Sequence, residues 1–71
     1  MIDMYRIEYE YYDKRGHILT RKMECGDYSR VKFHCKNISE LKEHKPIRTP
    51  RITKVNGNNP DEILNYEKIL K

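Results

Sequence analysis

DYSRVKFHCKNISELKEHK, residues 27–45, fits two different elements, and the choice between them decides the fold. As a strand, Val31, Phe33 and Cys35 alternate with Arg30, Lys32, His34 and Lys36, the period of two that sends successive side chains to opposite faces. As a helix, Tyr28, Val31, Cys35 and Ile38 fall on one stripe, with Leu41 near its edge, Asp27 placed to cap the start and Pro46 placed to stop the end. Only Phe33 sits off that stripe. The preceding turn weighs on the helical side. A two-residue hairpin loop at Gly26-Asp27 would put Val31 and Phe33 on the charged side of a sheet, and a three-residue loop would carry its glycine first, although the left-handed position comes last. The expectation is a helix, with a strand over residues 28–38 as the alternative.

Upstream, the pattern is less divided. In MYRIEYEYYD, residues 4–13, Tyr5, Ile7, Tyr9 and Tyr11 alternate with Arg6, Glu8, Glu10 and Tyr12, as in a half-buried strand rich in aromatic residues. Asp13-Lys14-Arg15-Gly16 then suits a three-residue hairpin loop, with Asp opening a type I turn and Gly in the left-handed position. A second strand follows over residues 17–25. This loop length sets a register: Asp13 against His17, Tyr11 against Leu19, Ile7 against Met23 and Tyr5 against Cys25, all on one face. The other face then pairs Glu8 with Lys22 and Arg6 with Glu24, opposite charges directly across the ladder. A slip of one residue would scatter the apolar set over both faces.

Downstream, PRITKVN, residues 50–56, suits a short strand around Ile52 and Val55, and Pro50 confines the start to an edge or to a first position. After NGNNP, Asn59 can cap a helix with Pro60 at its first position, Asp61 and Glu62 at its positive end, and Ile63, Tyr66 and Leu70 as its apolar stripe. The summed expectation is one small α+β domain over residues 1–71: a single-layer antiparallel sheet in the order β-β-α-β-α, with the helices packed on its tyrosine face.

Apolar residues and charged residues each make up 37% of the chain, a balance that suits disorder unless the apolar positions are periodic, as they are here. No run approaches the roughly 20 apolar residues that cross a bilayer. The start MIDMYRIEYEYY has neither the basic flank nor the apolar core of a signal peptide. A cytoplasmic protein with no membrane association is expected, with Cys25 and Cys35 as reduced thiols and the Asn37-Ile38-Ser39 sequon unused.

Motifs for chemistry are weak. Cys25, His34, Cys35 and His44 lack paired C-x-x-C spacing, so neither a metal nor a cofactor is expected. Ser39-Glu40-Leu41-Lys42 matches S-x-x-K without the accompanying motifs or the large fold that aligns them. A Cys35 nucleophile would need a base, a third orienting group and a pocket, none of which is signalled. Glycine-rich phosphate loops are excluded because all three glycines are isolated. These features point away from an enzyme. Stacking of bases on the six tyrosines is also disfavoured, since the register puts Tyr5, Tyr9 and Tyr11 with the apolar set and leaves only Tyr12 on the charged face.

What remains is charge. The net charge of +4 is uneven: residues 17–54 hold ten basic and four acidic side chains, a block of +6 between ends of −1 each. Within it, KPIRTPRITK, residues 45–54, has four cations, two prolines and no acid. Lys42, Lys45, Arg48, Arg51 and Lys54, joined by Arg30, Lys32 and Lys36 on the outer side of the helix, are the candidate contacts to a nucleic-acid phosphate backbone. Glu40 and Glu43 dilute this stripe. The alternative is a small inhibitor or adaptor, of the kind mobile elements often encode, docking on an acidic protein surface through the same cations or through an edge strand near residues 50–55.

Overall fold

The alternating leader forms β1 (Met4–Tyr12), paired antiparallel with β2 (Ile18–Cys25), in a computed structural model that describes residues 4–57 and 60–71. The register is the one the turn dictates: Tyr5 faces Cys25, Ile7 faces Met23, Tyr11 faces Leu19, and on the other side Arg6 faces Glu24 and Glu8 faces Lys22. In the loop the Asp13 N–H donates to the His17 carbonyl at 2.9 Å and the Gly16 N–H to the Asp13 carbonyl at 3.1 Å. The Asp13 carboxylate accepts from the N–H groups of Arg15 and His17, each at 2.8 Å. Gly16 takes φ +82°, the left-handed conformation that closes such a loop.

Residues 27–45 resolve as the helix α1 (Tyr28–Ser39), capped by Asp27, whose carboxylate accepts from the Arg30 N–H at 2.9 Å and from the Ser29 hydroxyl at 2.6 Å. Val31, Cys35 and Ile38 are buried, and Phe33 is 62% exposed. The helix ends well before Pro46. Continuing the stripe past Ile38 would bring Lys42 and Lys45 to the core side, so further turns would bury nothing. The last turn closes locally instead, with the Ser39 hydroxyl donating to the Lys36 carbonyl at 2.6 Å and the Glu40 N–H reaching the Lys36 and Asn37 carbonyls. Leu41 still packs against the core from the connection that follows.

That connection returns to the sheet. The His44 ring lies 4.9 Å from that of Tyr11, and the Ile47 N–H donates to the Glu10 carbonyl at 2.8 Å. Pro50 is buried just before β3 (Arg51–Val55), which pairs antiparallel with β1 so that Ile52 faces Ile7. Pro50 therefore stands one residue ahead of the first strand position. β3 is an interior strand, not an edge, because β4 (Glu62–Leu64) pairs along its far side and the sheet runs β2-β1-β3-β4.

β4 corrects the expected closing helix, and the order becomes β-β-α-β-β-α within the same α+β class. The Ile63, Tyr66, Leu70 spacing is helical, but three ladder positions on the open side of β3 outweigh it. They turn Leu64 onto the core face and leave Ile63 67% exposed. Helix α2 (Tyr66–Leu70) starts only at the Asn65 cap, where the side chain accepts from the Lys68 N–H at 3.0 Å, and it buries Ile69 while Leu70 stays 40% exposed. The expected Asn59 cap lies outside the described residues.

Ile7 and Tyr9 of β1, Cys25 of β2 and Ile52 of β3 meet Val31, Cys35 and Ile38 of α1 and Ile69 of α2 in one core on one side of the sheet. Tyr5 and Tyr11 are half-buried at its margins. β3 covers β1 only from Met4 to Glu8, so the turn end of the hairpin projects, and Tyr12, Ile18 and Leu19 there are each more than 40% exposed.

Candidate nucleic-acid interface

The α1 sequence YSRVKFHCKNIS contains no carboxylate, and its acids stand only at the two flanks, Asp27 and Glu40. At about 100° per residue, Phe33 and Lys36 project opposite the Val31, Cys35, Ile38 stripe, with Lys32 on one flank and Arg30 on the other. All four are exposed. Arg30 leans toward the cap, its Nε 3.7 Å from Asp27 Oδ2, an exposed contact of little energetic weight. The outcome is a convex face with three cations, no acid of its own, and an aromatic ring among them.

The remaining basic candidates lie outside α1. Arg51 stands on the opposite side of the sheet, since its neighbour Ile52 points into the core. Lys54, three residues on, is turned back to the helix side, where its partners across the ladder are Tyr5 and Glu62. Arg48 shares with Arg51 an open cleft of about 400 Å³ that also contains Glu8 and Glu10. It shares with Lys45 a second cleft of about 500 Å³ near Pro46 and Tyr66. Lys42 is exposed in the connection after α1.

The helix-free side of the sheet is balanced in charge. Its strands present Arg6, Lys22 and Arg51 together with Glu8, Glu10 and Glu24, and Glu8 lies between Lys22 and Arg51 across the two ladders. A cation there already faces an anion, so the polyanion field of that side is small. The structure thus gathers Arg30, Lys32 and Lys36 on α1, puts Arg51 on the other side of the sheet, and turns Lys54 to the side opposite Arg51. Phe33 is missing from the set of cations read from the sequence. Its signal is visible there all the same, as the one apolar residue off the stripe in a stretch without acids.

The two thiols lie in the core. Both are buried; desolvation pushes the Cys35 thiol up to about 11, and burial, with Asp27 adding to it, raises that of Cys25. His34 immediately precedes Cys35 in the sequence, but its ring packs edge-on against Phe33 at 5.8 Å, while His44 packs on Tyr11. The Tyr66 hydroxyl donates to the Cys35 carbonyl at 3.4 Å, and its phenol is raised by burial and by the nearby thiol. Among the described residues, no three His, Cys, Asp or Glu side chains are grouped to hold a metal ion, and no helix is long and apolar enough to cross a membrane. Comparison of the chain with protein families, curated proteins and solved structures finds no match.

Proposed function

We propose that the protein is a non-enzymatic binding domain that contacts nucleic-acid backbone through the outer face of α1. The observation that supports this is the cationic face formed by Arg30, Lys32 and Lys36 on a helix with no carboxylate within it, set against a sheet side whose charges cancel. Cations gathered on one convex surface displace condensed counterions from phosphates, and the binding they produce weakens as salt rises. Thiols buried in the core fit a role that rests on surface contact and not on bond making.

The test is a titration of single-stranded and duplex oligonucleotides at low and moderate salt. Three neutralised phosphates give a slope of log affinity against log salt of about −2 for single strands and about −3 for duplex. Absence of salt-sensitive binding to either rejects the proposal. An acidic protein partner would also suit these cations, and nuclease treatment of a captured complex separates the two: a protein complex survives it, a nucleic-acid complex disperses.

A further inference from the structure

We infer that Phe33 is a stacking platform for an unpaired base, which makes the ligand of α1 a single-stranded nucleic acid. The inference rests on the backbone-contact reading above and names its ligand class.

Phe33 is 62% exposed, on the helix face opposite the buried stripe. A ring that packed against its own chain would lose most of that area, yet the ring contact recorded for Phe33 is to the neighbouring His34, at 5.8 Å and 69°. One edge-to-face neighbour covers at most one face of the ring. The other is presented to solvent, with Arg30 one turn before, Lys36 one turn after and Lys32 alongside. Ser29 and Asn37, four residues to either side, add exposed hydrogen-bonding groups to the same face.

An apolar ring among cations is a combination that phosphate contact alone does not need. Single-stranded nucleic acid needs both, a charged track for the backbone and an aromatic face for a base. In a duplex the bases stack on each other, and a ring on a convex helix finds no free base face. Charge complementarity excludes a basic partner, and the aromatic ring distinguishes a strand with accessible bases from a bare polyanion.

Oligo(dT), oligo(U), a DNA duplex of the same length and an abasic DNA strand of the same length are titrated against the full chain, with Phe33→Ala and Phe33→Trp as variants. The abasic strand keeps the phosphates and removes the rings. The expected result is tighter binding of oligo(dT) and oligo(U) than of the abasic strand, and a loss of about fivefold or more on Phe33→Ala with an unchanged salt slope. That variant binds abasic strand and duplex as the parent does, and the indole introduced by Phe33→Trp is quenched by oligo(dT). Because Phe33 is exposed, both variants keep the fold, which circular dichroism checks. Salt-sensitive binding that is equal for abasic and base-bearing strands, or indifferent to Phe33→Ala, overturns the stacking role and leaves the backbone reading standing. No salt-sensitive binding at all overturns both.

Discussion

Asp27 joins two parts of the chain with one carboxylate. It ends the turn after β2 and accepts from the Ser29 hydroxyl and the Arg30 N–H at the start of α1. These hydrogen bonds hold its carboxyl below the ordinary value of 3.8, the Ser29 contact most of all. A depressed carboxyl stabilises the fold above its unfolded value, and that contribution is lost as pH falls through the folded one. Asp27→Asn retains an acceptor for Arg30 and removes the charge. Melting temperature followed from pH 7 to pH 2.5 should fall less steeply below pH 4 in this variant than in the parent; an unchanged acid limb would show that the carboxylate charge is not used. The cap was legible in the sequence because capping needs only a residue of the right type just before an apolar stripe. Phe33 was legible only as an exception to that stripe, since exposure is a property of what packs nearby.

At the scale of elements, the hairpin is the part most completely determined by local chemistry. Its turn, period and cross-strand charges all select one register, and each involves residues close in sequence. Gly16 holds a left-handed φ with open space where a side chain would stand, so Gly16→Ala introduces backbone strain without a clash. The expected loss is about 1–2 kcal/mol in chemical denaturation, a large share of the stability of so small a domain. A loss of only a few tenths would mean that the turn is not what sets the register. β4 and α2 are the opposite case. Ile63, Tyr66 and Leu70 keep helical spacing, and five residues of helix are marginal alone. What draws residues 62–64 out of that helix is the far side of β3, a partner no local window contains.

For the whole molecule, the layered arrangement divides the basic residues. Arg51 and the cations of α1 belong to opposite sides of the sheet–helix pair, and Arg48 and Arg51 share their cleft with Glu8 and Glu10. Replacing Lys32 and Lys36 together by Gln should reduce the magnitude of the salt slope for single strands by about 1.4, two phosphates' worth. The same change at Arg48 and Arg51 should leave it nearly unaltered. Oligonucleotide titrations of the two double variants at several salt concentrations check this, and a larger effect at the second pair would move the contact surface to the other side of the molecule.

The sequence alone determined the hairpin register, the inward turn of Tyr5, Tyr9 and Tyr11, and the entry of Ile52 into a strand, because each follows from a period or a turn among near neighbours. It offered the Asp27 cap and the helical stripe of α1 beside a strand alternative, and Tyr28 of that stripe is 44% exposed. Tertiary structure decided that β3 lies inside the sheet, that residues 62–64 pair with it, and that Lys54 turns away from Arg51 while α1 gathers its own cations. Those outcomes depend on which surfaces meet across long separations, and a row of charges in sequence carries no record of the layer to which each one is assigned.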